Sequence, residues 1–118
     1  MTDALTDLHD LRERTRAFAA ARDWEQYHTP KNLAMALSVE VAELAEHFQW
    51  LPTGRAGELA PGQQEAIRQE LADVLLYLVQ IADKLDVDLH AAALEKIQLN
   101  AIKYPASSDG HSGSVPLA

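Results

Sequence analysis

The 118-residue chain carries 10 lysines and arginines against 18 aspartates and glutamates, a net charge of −8, with 47% hydrophobic residues and no cysteine. That balance excludes a groove for nucleic acid polymers, whose phosphates need clustered cations, and the missing thiols exclude disulfides and thiolate metal sites. The length suits one domain whose modest core gains from self-association, and no apolar run reaches the ~18–20 residues that span a bilayer, so no membrane partner and a cytoplasmic location are expected.

From Asp3 to about Arg22, Leu5, Leu8, Leu11, Phe18 and Ala19 recur at helical spacing among charged residues, which predicts a first helix. Residues 23–29 break the pattern, and Pro30 disfavours helix at Thr29 while suiting a first helical turn. A second helix is predicted from Pro30 to about Trp50 on Leu33, Leu37, Val41, Leu44 and Phe48. Pro52, Gly54, Gly57, Pro61 and Gly62 mark a connection, of a length common beside a site. The cleanest pattern follows: Ile67, Leu71, Val74, Leu75, Leu78, Ile81 and Leu85 predict a third helix from Gln63 to about Leu85. On that helix Leu76 and Val79 point away from the main stripe, which suggests burial against a partner subunit. Asp88 is a candidate N-cap for a fourth helix ending near Tyr104, before Pro105. The fold expected is all-α, a four-helix bundle over residues 1–105, with a disordered Ser/Gly-rich tail at 106–118.

At about 100° per residue, Glu40 and Glu43 project from one edge of the second helix, and Glu70 and Asp73 repeat the i, i+3 spacing on the third, with Tyr77 one turn further on. Each pair borders an apolar stripe, so the four carboxylates can meet at a helix–helix seam. Such pairs, taken singly, are also what any acidic protein shows on solvated faces. Two of them flanking a core cannot all stay ionised without compensation, which a divalent cation supplies. Oxygen donors alone favour magnesium, with manganese as a substitute, over zinc or copper, and magnesium commonly binds substrate phosphates. Glu46 drifts further round the helix and is assigned a supporting or solvent-facing place. His28 and His47 lack a histidine at ligand spacing and are not assigned to a metal.

The runs Glu40-Val41-Ala42-Glu43 and Glu70-Leu71-Ala72-Asp73, split by the Pro/Gly connection, resemble the ExxE…ExxD motif of MazG-like all-α nucleoside triphosphate pyrophosphohydrolases. Arg22-Asp23-Trp24-Glu25-Gln26, Lys31-Asn32-Leu33, Phe48-Gln49-Trp50 and Lys103-Tyr104-Pro105 are similar to dCTP pyrophosphatases of that superfamily. The resemblance spans roughly Thr15 to Pro105. It implies cleavage of a nucleoside triphosphate, dCTP or a modified dCTP foremost, to the monophosphate and pyrophosphate. It also implies magnesium on Glu40, Glu43, Glu70 and Asp73, with Glu43 or Glu40 acting on the attacking water. Homodimers or homotetramers are expected on the same ground. Two positions depart from the pattern: Val39 stands where the broader family often has a second acidic residue, which leaves the number of metal ions open. Thr15 stands where some relatives have a base-contacting histidine, which leaves pyrimidine selectivity open.

Trp24 and Trp50, the two tryptophans, border the expected site and can stack on a base, although without the resemblance they read more readily as core or interface anchors. Tyr77 fits either the base or the half-buried core. By the same resemblance Lys96, Asn100 and Lys103, on one face of the fourth helix, and Tyr104 join the substrate-binding set. The competing readings are a noncatalytic helical interaction module and a phosphohydrolase of another nucleotide.

Overall fold

A computed structural model describes residues 4–107. The expectation for the tail falls outside the described residues from 108 onward. Regular structure consists of four α-helices, α1 (Ala4–Ala21), α2 (Pro30–Glu46), α3 (Gln63–Lys84) and α4 (Leu89–Lys103), with short 3-10 turns at Glu25–Tyr27 and Ala56–Glu58 and no β-strand among the described residues. None of these helices is long and apolar enough to cross a membrane. The chain divides into two compact units, Met1–Val87 and Asp88–Ala118. The first holds α1, α2 and α3, with α3 packed on both of the others; the second holds α4.

The helix ends follow local chemistry. Thr29 caps α2, its hydroxyl accepting the Asn32 N–H at 3.2 Å, and Pro30 occupies the first turn, where its missing N–H costs nothing. Asp88 caps α4 in the same way, accepting the Ala91 N–H at 3.0 Å. α1 closes with a Schellman arrangement: the Trp24 N–H reaches back to Ala19 O (3.0 Å) and the Asp23 N–H to Ala20 O (3.1 Å), with Asp23 at φ 56°. α3 ends likewise through Val87 N–H to Ala82 O (2.8 Å), with Asp86 at φ 55°.

α2 stops at Glu46 instead of running to Trp50. His47–Trp50 form turns, with the Phe48 and Gln49 N–H groups both bonded to Ala45 O. The connection that follows is internally tied. Glu58 Oε1 accepts the Thr53 and Gly54 N–H groups, and Gln63 reaches across to His47 O with its amide nitrogen (3.1 Å) while its Oε1 accepts the Ala60 N–H (2.9 Å). Those backbone donors hold the Glu58 carboxyl below its ordinary range. Gly54 adopts φ 79°, and a Cβ there would lie 2.7 Å from Phe48 Cδ1, so the turn needs glycine on both counts.

The core comprises Ala19 of α1, Leu33 of α2 and Ile67, Val79 and Ala82 of α3. Leu33, 1% exposed, contributes about 2 kcal/mol by leaving water. The faces of α3 are redistributed relative to the expectation from periodicity. Val79 is buried within the chain and Leu76 lines a cleft against α1, whereas Leu71, Leu75, Leu78 and Leu85 are exposed. The partner-facing assignment of Leu76 and Val79 is therefore corrected. A helix apolar on two faces leaves periodicity unable to choose between them.

Candidate active site

Because α3 packs on α2, the two acidic motifs are brought together. Carboxylate oxygens of Glu40, Glu43 and Glu70 lie within 4.8 Å of one another, a set that could hold a metal ion. Oε2 of Glu40 and Oε2 of Glu70 are both buried without a hydrogen-bond partner among the described residues. Buried acceptors left unpaired cost free energy, and more so as anions, so the geometry asks for a proton or a cation between them. The Glu40 carboxyl is pushed up to about 7, first by burial, then by its contact with Glu70 and the charges of Glu43 and Asp73. Oxygen donors of this kind fit a hard divalent cation. Position on the helix adds to the demand: Glu43 lies in the last turn of α2, where the carbonyl dipoles disfavour an anion and favour a cation.

Asp73, one turn beyond Glu70, lies outside the three-carboxylate set and lines a cleft of about 420 Å³. α1 and the segment after it supply one wall, with Leu11, Arg14, Thr15, Phe18, Trp24 and His28. Leu76, Tyr77 and Gln80 of α3 supply the other. A largely apolar, preformed cleft edged by a few polar groups is what a small planar ligand needs. Trp24 stands edge-on to Phe18 (5.7 Å between ring centroids) and to His28 (6.3 Å). The Schellman turn explains its placement, since the residue after the left-handed position folds back onto the last turn of α1. Burial and the charges of Glu40 and Asp73 push the Tyr77 phenol up, which keeps it a neutral donor. At one end of the cleft walls Arg16 of α1 pairs with Asp83 of α3, and Nε donates to Oδ2 at 2.8 Å. The guanidinium holds the Asp83 carboxyl below its ordinary value.

Trp24, Tyr77 and Asp73 thus share one cleft. Trp50 is 86% exposed at the start of the tied connection and is absent from that lining. Lys96, Asn100 and Lys103 lie on α4 in the second unit, where the Lys103 ammonium sits 5.3 Å from the Tyr104 ring centre. Sequence reasoning missed Leu11, Arg14, Phe18, Leu76 and Gln80 as cleft residues. It noticed Thr15 only as a departure and His28 only as a rejected ligand. The i, i+3, i+4 series from Asp73 through Leu76 and Tyr77 to Gln80 was the available signal.

Over 101 residues the chain is 48% identical to dCTP pyrophosphatase 1 of Homo sapiens, covering 84% of this chain and 59% of the human protein. Against the Mus musculus protein of the same name the identity is 47% over 100 residues, covering 83% and 59%. The chain therefore spans about 59% of the length of these curated relatives. A crystal structure of a pyrophosphatase from Archaeoglobus fulgidus superposes with a TM-score of 0.74 at 37% identity, covering 89% of this chain and 95% of that one. A model of the MazG-like family matches residues 35–114, which hold all four acidic residues of the two motifs, and the chain belongs to that family.

Proposed function

We propose that the protein is a magnesium-dependent nucleoside triphosphate pyrophosphohydrolase acting on dCTP or a base-modified dCTP. One observation carries the reading: two buried, unpartnered carboxylate oxygens, on Glu40 and Glu70, stand within a three-glutamate cluster beside a cleft of base size. The likeness to dCTP pyrophosphatases over most of the chain supports the substrate.

Glu40, Glu43 and Glu70, with Asp73 one turn further along α3, would hold the cation, which when bound would neutralise the triphosphate and polarise the α-phosphoryl group. Glu40 and Glu70 would offer it their buried oxygens. Glu43 is left to accept the proton of the attacking water, with Glu40 the alternative acceptor. The water oxygen bonds to the α-phosphorus, the bridge to the β-phosphate breaks, and pyrophosphate leaves. Trp24 packs on the base and Tyr77 donates to the substrate midway along α3. Trp50, Lys96, Asn100, Lys103 and Tyr104 complete the substrate contacts on this reading. Residues 1–105 act as one catalytic domain in the cytoplasm, as a homodimer or homotetramer whose interface covers exposed Leu71, Leu75 and Leu78.

The test is pyrophosphate release from a panel of triphosphates headed by dCTP, with magnesium and with EDTA. Metal-dependent release from dCTP is expected; release insensitive to EDTA, or none from any triphosphate, overturns the proposal.

A further inference from the structure

Gln80 lies on α3 two turns past Asp73, and at 1.5 Å per residue the seven residues between them span about 10 Å along the cleft. On the triphosphate reading, a nucleotide with its phosphates at the carboxylate end would extend its base in that direction. The Gln80 amide is oriented by a fixed rule: its nitrogen donates to Leu76 O at 3.2 Å, and a carbonyl oxygen can only accept, so the nitrogen belongs on that side. Oε1 accepts no hydrogen bond among the described residues. Across the cleft the Thr15 hydroxyl hydrogen is committed to the Leu11 and Arg12 carbonyls, each at 2.9 Å, so Thr15 also offers lone pairs. Thr15 and Gln80 both line the adjoining small cavity.

Donors line the cleft as well: the Trp24 indole and the His28 ring face it from the segment after α1, and His28 also lines the small cavity with Thr15 and Gln80. Tyr77 is one turn nearer the carboxylates, and the Arg14 guanidinium is tied to Asp10 at 2.9 Å with a side chain 76% exposed. On the α3 wall at this end of the cleft, the Gln80 Oε1 is the acceptor offered to whatever edge of a base arrives there. Cytosine and adenine bring an exocyclic amine with two N–H donors, whereas uracil and thymine bring a carbonyl oxygen that would face Oε1 lone pair to lone pair.

We propose that Gln80 is a specificity-determining residue that selects nucleobases bearing an exocyclic amine, its Oε1 accepting one amine N–H. The inference rests on the triphosphate reading above. It assigns to Gln80 discrimination between bases and no part in the bond-breaking step.

The experiment compares kcat/KM for dCTP and dUTP in the full chain and in Gln80→Met, which keeps length without either amide group, and Gln80→Ala, the best helix former. The expected result is a fall of about tenfold in the dCTP-to-dUTP ratio in both variants, carried by dCTP losing a partner and dUTP losing an unfavourable neighbour. A merely structural role would lower both substrates equally and leave the ratio alone. An unchanged ratio in either active variant overturns the inference and leaves the triphosphate reading standing. A ratio that rises does the same, by assigning a donor role to the amide. No turnover of any triphosphate by the unsubstituted chain overturns both.

Discussion

Replacing Glu40 by glutamine separates what the carboxylate cluster does for a cation from what it costs without one. The side chain keeps its shape and loses its charge. A carboxyl raised from 4.5 to about 7 sets a ceiling of roughly 3.4 kcal/mol at 1.36 kcal/mol per pKa unit. Glu40 is only half-buried, and screening brings the expected penalty to about 1–2 kcal/mol. The folded chain holds this proton more tightly than the unfolded chain does, so the penalty is absent below pH 4.5, grows as pH rises through about 7 and is complete above it. In EDTA at pH 8, Glu40→Gln should therefore unfold about 5–10 °C higher than the unsubstituted protein, with the advantage vanishing near pH 4.5. Adding magnesium should reverse the order. Saturation at a hundred times the dissociation constant stabilises the unsubstituted protein by about 2.7 kcal/mol, and the variant gains much less. Calorimetry across pH with and without magnesium reads all of this. A variant less stable than its parent in EDTA at pH 8, or an offset that does not change with pH, would refute the account of Glu40.

Other expectations follow from single residues. Trp24→Ala should raise KM for dCTP severalfold with a smaller change in kcat, measured by steady-state pyrophosphate release; an unchanged KM would remove the indole from the base cleft. Gly54→Ala should destabilise the fold by about 1–3 kcal/mol in urea, since alanine must hold a positive φ and displace the Phe48 ring; equal midpoints would show that the turn relaxes. Asp86→Gly should stabilise by about 1 kcal/mol in the same assay, because Asp86 occupies the left-handed position after α3 at φ 55°; a loss would mean that the side chain has a partner worth more than the strain.

Much of this molecule was readable before any coordinates. Pro30 and Asp88 announce helix starts through chemistry confined to a few residues: α2 begins at Pro30 and the Asp88 cap forms as expected, while the Thr29 cap is the structure's addition. The acidic pairs were equally legible, because helical spacing fixes which side chains share an edge. The end of α2 was not. No glycine or proline interrupts the pattern before Pro52, and the stop at Glu46 depends on Gln63, sixteen residues beyond His47, reaching its carbonyl. Nor could periodicity rank the apolar faces of α3, since Leu71 and Leu78 on its main stripe are as hydrophobic as Val79, and only burial in the folded chain distinguishes them. Gln80 carried no signal beyond its spacing from Asp73 and Tyr77: a neutral amide on a helix is ordinary until its orientation and its cleft are seen.

α3 has a consequence for how such a molecule can diversify. Glu70, Asp73, Tyr77 and Gln80 are graduations on one 22-residue ruler, so on the proposed reading the distance from the reacting phosphorus to the far edge of the base would be set by helix rise. An insertion or deletion of one residue between Asp73 and Gln80 would turn every later mark by about 100° and carry it off the cleft. Descendants of this chain can therefore exchange one base for another by swapping side chains at fixed marks, while loops are free to lengthen, shorten or acquire new partners without disturbing the measurement.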